Sequence, residues 1–404
     1  MDGETSRGNA NHPAGWADRS TGRGRGRARS WHARAAALIL AAALGGAAPA
    51  VLAGQAPFVP AQLVSVRGSR PAGPPHGLNG ASCSTPAPDT ASGFAAALDA
   101  LPDDQWLAGD QALSVLLPGG GIVWLWGDTL RTNGFVHNSG ILQTGGCLTV
   151  LKSGASELIP NLPDGTWYWP SSAVTRGRKL YVFVTHVRAA GGTNGFGPVG
   201  TDLAVFDVGL DGVPVFDRIL PTPSSDAPQG QIHYGAAAAQ GPDGYTYVYG
   251  SRFVSGAFGK AVYLARVPSV GLASLSAWRF WTGSGWSRDT SKAAQIVPPT
   301  PDGWSSSFSA FTDPSGGWVV LTKENEFLGR YLISATAPNP WGPWTVSDLV
   351  DISSSVDHYL YTPLAHPEEH LASGKVLVTV CNGGPDAISD PAHRYRPTFM
   401  ELQP

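Results

Sequence analysis

Charge is scarce in this chain. Asp, Glu, Lys and Arg together make up 14% of its 404 residues, and the formal net charge is -3. No long charged run occurs in the body of the sequence, so neither nucleic acid nor a membrane surface is the implied partner. Only 3 cysteines are present, and no Cys or His spacing resembles a zinc site, so no metal is expected. No hydrophobic run reaches the roughly 20 residues of a membrane-spanning helix. Helical periodicity is nearly missing as well. Against these absences stand 51 Gly, 34 Pro and 14 Trp, with hydrophobic residues at 42%. Many short strands, tight turns and large aromatics fit that balance.

Residues 1–53 read as a signal segment. Arg19, Arg23, Arg25, Arg27, Arg29 and Arg34 precede an apolar run, and small residues close it at Ala48-Pro49-Ala50 and Val51-Leu52-Ala53. Basic, apolar, small is the order of a secretory leader. An uncleaved anchor is the alternative, disfavoured by the short apolar core. The expected product is secreted or held at the cell envelope, with no membrane association after cleavage. Export places the cysteines in an oxidising compartment. Cys83–Cys147 is the favoured pair among three single pairings, with Cys381 left as a buried thiol. Residues 54–102 read as a Pro/Ala/Gly-rich linker with a short helix near 93–101, where Phe94, Leu98 and Leu101 share a face.

A unit recurs five times over 103–404. Its clearest part is a strand rich in β-branched and aromatic residues at 122–126, 180–184, 245–249, 318–321 and 376–380. Each follows a Gly-containing turn or its equivalent, at 118–121, 176–178, 241–244, 313–317 and 372–374. Third strands are expected at 140–144, 203–208, 261–267, 330–335 and 398–402. Units of this length predict an all-β, five-bladed β-propeller. Stacked sandwich domains are the competitor, but they need a separate core for each domain.

In a propeller the start of each innermost strand and the end of the second meet at the channel mouth. Residues 17–20 apart should therefore converge there. The first unit supplies Asp110 and Asp128; the second supplies Trp169, Ser171 and His186. The third supplies His233, Tyr234 and Arg252, the fourth Ser307, Lys323 and Glu324, and the fifth Tyr359, Tyr361 and Asn382. Paired carboxylates, aromatic faces and hydrogen-bonding groups are the equipment of sugar binding and glycosidic cleavage. Each residue also has a structural reading, since Asp128 can cap a turn and Glu324 can pair with Lys323 or Arg330. Trp278, Trp281, Trp286, Trp341 and Trp344 read as packing.

The runs Gly109-Asp110-Gln111-Ala112-Leu113-Ser114, Ile122-Val123-Trp124-Leu125-Trp126-Gly127-Asp128-Thr129 and Asn138-Ser139-Gly140-Ile141-Leu142-Gln143 carry a likeness. They resemble the opening blade of the secreted actinobacterial propellers that include the endo-D-arabinanases of glycoside hydrolase family 183, once a domain of unknown function. The likeness spans roughly 103–402, with only the first-blade motif specific. It implies an endo-acting hydrolase of α-D-arabinofuranosyl linkages in arabinogalactan or lipoarabinomannan, with Asp110 and Asp128 as the catalytic pair. No cofactor is implied, and a monomer is expected. A non-catalytic sugar-binding propeller, an exo-acting arabinofuranosidase and a protein-binding propeller are the rivals, because fold alone proves no function.

Overall fold

The structure is a computed structural model that describes residues 83–152, 156–190, 195–353, 358–384 and 395–404. The signal segment and most of the linker, residues 1–82, lie outside the described residues. The remainder is almost entirely antiparallel β-sheet. A two-residue β1 (Ala108–Gly109) precedes blade one, which is built from β2 (Leu113–Leu116), β3 (Ile122–Trp126), β6 (Ser139–Thr144) and β7 (Cys147–Val150). Between β3 and β6 the chain makes β4 (Thr129–Arg131) and β5 (Gly134–Val136), which join β1 in a small separate sheet.

Blade two comprises β8 (Trp167–Arg176), β9 (Lys179–Ala189), β10 (Phe196–Val208) and β11 (Pro214–Pro221). Blade three comprises β12 (His233–Gln240), β13 (Tyr245–Arg252), β14 (Ala261–Pro268) and three short outer strands: β15 (Arg279–Trp281), β16 (Trp286–Ser287) and β17 (Gln295–Val297). Blade four comprises β18 (Ser309–Thr312), β19 (Trp318–Lys323), β20 (Tyr331–Ala337) and β21 (Thr345–Asp351). Blade five has β22 (Tyr359–His366), β23 (Val376–Gly383) and β24 (Thr398–Leu402). All five expected second strands and all five third strands fall where the repeat put them.

The ring closes. The first strands β2, β8, β12, β18 and β22 contact one another in that order, and β22 returns to β2. Five hydrophobic clusters fill five seams. Val123 and Leu125 meet Val182 and Phe206 between blades one and two, and Phe183 and Leu203 meet Val248 and Tyr263 between two and three. Tyr249 and Leu264 meet Val320 and Ile333 in the next seam, and Leu321 and Leu332 meet Val378 and Val380 in the fourth. Each blade is covered on both faces, so its second strand is a continuous apolar run with no alternation. The shared seams rule out separate sandwich cores.

The last seam contains a helix. α1 (Ala91–Asp99) begins at Thr90, whose Oγ1 accepts the Gly93 amide at 3.2 Å. Its Phe94 and Leu98 pack with Trp124 and Trp126 of blade one and Leu377 of blade five. The Ala91 amide also donates to Glu401 Oε1 of β24 at 2.9 Å. The short helix expected near 93–101 is present as α1. Residues 83–102 carry an apolar face long enough to bury, and they bind the first blade to the last. Cys83 and Cys147 form a disulfide, while Cys381 is a buried free thiol.

Candidate functional site

One cleft of about 460 Å³ opens at the mouth of the ring, within the range of about 300–1,000 Å³ common for small-ligand sites. All five blades or their connections line it. The backbone around it is unusual. Among the described residues, the non-glycine residues with left-handed backbone are Gln111, Ala112, Asn325, Glu326 and Thr362. Four of these line the cleft, and Ala112 follows one of them. Backbone strain of this kind persists where the surrounding structure enforces it, and it collects at functional sites.

Asp110 and Asp128 are brought together by main chain. β1 and β4 pair Gly109 with Thr129, the Asp110 amide donates to the Asp128 carbonyl at 3.3 Å, and the Gly127 amide donates to the Asp110 carbonyl at 3.0 Å. Gly127 leaves room for the first carboxylate: a Cβ there would lie 2.4 Å from Asp110 Oδ1. The two carboxylates then meet opposite surroundings. Asp128 Oδ1 accepts the indole N–H of Trp169 at 2.7 Å and faces His137 Nδ1 at 3.1 Å. His137 is itself held flat against Trp167, with ring centroids 4.4 Å apart.

Asp110 instead receives hydroxyls. Tyr361 Oη donates to its Oδ2 at 2.9 Å, and Tyr395 adds a second side-chain hydrogen bond. Burial first, and the nearby Asp128 charge second, push the Asp110 carboxyl up to about 7, against the opposing pull of the tyrosine hydroxyls. The left-handed turn that follows is tied down where the Gln111 amide donates to Cys381 Sγ at 3.2 Å.

Trp169, Ser171, His233 and Tyr361 line the cleft with the two aspartates, and so does Ser307. Ser171 Oγ is engaged by the Phe183 carbonyl at 3.0 Å. His186, Tyr234, Arg252 and Asn382 do not line it, and strand parity explains all four. Register pairs Trp169 with Thr185 on the cleft side and Tyr168 with His186 on the other, where His186 meets Thr166 and Asp202. His233 and Ser251 face the cleft, whereas Tyr234 pairs with Gly250, packs on Phe280 and is buried. Arg252 shares that second parity and lies over the Tyr263 ring. Tyr361 and Cys381 are partners beside Asp110, and Asn382, one step on, donates to the Arg396 carbonyl.

In blade four the cleft carboxylate is Glu326 rather than Glu324. Glu324 Oε1 accepts the amides of Arg330 and Tyr331 at 2.9 and 3.2 Å, closing its own turn. The left-handed pair Asn325–Glu326 then reverses the chain into the cleft. There Glu326 accepts the Ser306 amide and hydroxyl, both at 2.6 Å, with Lys260 Nζ 3.8 Å away. Lys323 is fully buried, donating to the carbonyls of Phe327 and Leu360, and Tyr359 is buried beside Phe327. His137, Glu326 and Lys260 were missed because none belongs to the repeated hairpin. Their signal was polar residues in the connections between a second and a third strand. Among the described residues, no group of three His, Cys, Asp or Glu side chains is arranged to hold a metal ion.

Residues 102–404 match the profile of a family described as a domain of unknown function (DUF5005). No curated protein matches the chain. A crystal structure from Bacteroides ovatus, whose description as a hydrolase is provisional, is similar at 18% identity and a TM-score of 0.61, covering 77% of this chain and 89% of that one. That likeness shows a shared fold. An endo-arabinase from Bacteroides thetaiotaomicron is similar at 11% identity and a TM-score of 0.45, covering 76% and 96%. A GH43_1 enzyme from Xanthomonas citri is similar at 12% and 0.44, covering 78% and 92%.

Proposed function

The chain belongs to the DUF5005 family, and from that premise we propose that it is an exported glycoside hydrolase cleaving α-D-arabinofuranosyl linkages within cell-wall arabinan. One observation carries the reading. Two carboxylates share one cleft, one met by the Trp169 indole N–H and the His137 ring and the other buried under tyrosine hydroxyls with its carboxyl pushed up to about 7. Unequal surroundings of this kind divide an acid from its partner. Asp110 keeps a proton near neutrality and delivers it to the departing glycosidic oxygen. Asp128, which accepts the Trp169 indole N–H, activates water or attacks the anomeric carbon. The tyrosines hold the Asp110 carboxyl in place while it loses and regains that proton.

Arabinan as the substrate rests on the first-blade motif that surrounds both aspartates, and export rests on the basic, apolar and small-residue order of 1–53. The test is release of reducing ends from purified mycobacterial-type arabinogalactan. Wild type should produce short oligosaccharides, whereas Asp110→Asn and Asp128→Asn should produce none above background. A folded wild type that releases nothing from arabinan contradicts the proposal.

A further inference from the structure

The wall of the cleft built by blades three and four carries a feature that hydrolysis at Asp110 and Asp128 does not use. Phe258 is 63% exposed, and among the described residues it is the one exposed large hydrophobic that lines the cleft. Exposed apolar side chains scattered over a surface need no explanation. Phe258 is not scattered. Phe253 lines the same wall, and Lys260 Nζ lies 5.5 Å from the Phe253 ring centroid. The same ammonium reaches the Phe258 carbonyl at 3.4 Å and Glu326 Oε2 at 3.8 Å. An aromatic rim thus borders a polar floor.

The connection carrying these rings is tied down at its base. The Ala257 amide closes a turn on the Val254 carbonyl at 3.1 Å, and the Lys260 amide bonds the Trp304 carbonyl at 2.9 Å. Gly259 lies so close to Gly303 that a Cβ would sit 2.5 Å from the Gly303 Cα. The Gly303 carbonyl in turn accepts the Asn325 amide at 2.7 Å, next to Glu326. The backbone that carries the rings is therefore tied to the turn that carries the carboxylate. A sugar presents an apolar ring face and hydroxyl edges, and this wall offers both counterparts.

We propose that Phe253, Phe258, Lys260 and Glu326 form a second sugar subsite, apart from Asp110 and Asp128, that holds a neutral sugar residue further along the same polysaccharide chain. The aromatic rim stacks on the ring face, while Glu326 accepts from hydroxyls and Lys260 donates to them. This rests on the reading of the ligand as a glycan, and it makes the cleft suited to a continuing chain.

The experiment is affinity electrophoresis of the full chain through gels containing arabinogalactan, with reducing-end release measured on the same preparations. Phe258→Ala should weaken retardation about tenfold, and Phe258→Trp should restore it, with thermal melting unchanged because the side chain is exposed. Retardation of Phe258→Ala equal to wild type, or no retardation of wild type, overturns the subsite. A wild type that is retarded through Phe258 yet releases no reducing ends upholds the subsite and contradicts the hydrolase. Release by wild type with no dependence of binding on Phe258 does the reverse.

Discussion

At the scale of single residues, the chemistry turns on a carboxyl that keeps its proton to about 7 because it is buried beside a second carboxylate. A general acid works only while protonated. Activity should therefore hold on the acid side of that value and fall about tenfold per pH unit above it, as the Asp110 proton is lost. A pH profile of kcat/KM on arabinan checks this, and a flat profile to pH 9 would remove Asp110 from the acid role. The two aspartates were legible in the sequence because they lie 18 positions apart across one hairpin. Their neighbours were half legible. Trp169, His233 and Tyr361 have the parity that faces the cleft, while His186, Tyr234, Arg252 and Asn382 sit one position out of step. Sequence spacing finds the end of a strand, but bulges between Pro170 and Ser172, and between Tyr361 and Leu364, set which side each residue faces. Glu326 needed two successive left-handed residues, which nothing in Lys323-Glu324-Asn325-Glu326 announces.

Among the elements, the seam between β22 and β2 gathers buried ionisable groups. His366 is fully buried and pushed down to about 3 by desolvation, with Nδ1 at 2.5 Å from Ser114 Oγ and Nε2 at 2.9 Å from Thr379 Oγ1. Ser114 also touches Glu368. Glu368 contacts Ser114 rather than the imidazole, whose Nε2 faces Thr379, so the group lacks the carboxylate–His–Ser order of a nucleophilic triad. Beside it Glu369 is raised to about 7 by burial and by Glu368, with one oxygen accepting from Gln143 Nε2 at 3.3 Å and the other without a partner. A carboxyl raised on folding contributes stability below its unfolded value of 4.5, and that contribution is lost as pH rises through about 7. The unfolding free energy of wild type should thus decline from pH 5 to pH 8. Glu369→Gln should flatten the decline by up to about 3 kcal/mol. Denaturant melts at both pH values measure it; an unchanged slope would show that the charge is relieved some other way.

For the whole molecule, the problem is closing a ring whose first and last blades are far apart in sequence. The solution lies before the repeat. α1 fills the seam with Phe94 and Leu98, Arg396 pairs with Asp99 and donates to the Leu107 carbonyl, and Cys83–Cys147 fastens the segment to β7. The helix was legible in the shared face of Phe94, Leu98 and Leu101, but nothing in its Pro-, Ala- and Ser-rich flanks announces that it docks between the first and last blades. The blades were legible because five hairpins repeat, whereas a clasp occurs once and has no copy to compare. The bridge spans 64 residues, so Cys147→Ser should cost about 2–4 kcal/mol of stability in denaturant melts, with the cleft chemistry retained. A loss well under 1 kcal/mol would mean that the helix alone closes the ring. In the proposed reading, what the closed ring delivers is one acid and one partner carboxylate in a shared cleft. The most direct test of that division compares kcat/KM on aryl arabino-oligosaccharides carrying poor and good leaving groups. Asp110→Asn should lose at least about a thousandfold on a phenyl leaving group and recover most of it on dinitrophenyl, which departs without a proton, while Asp128→Asn stays inactive on both. Equal loss on both leaving groups by Asp110→Asn, or recovery by Asp128→Asn instead, would contradict the account.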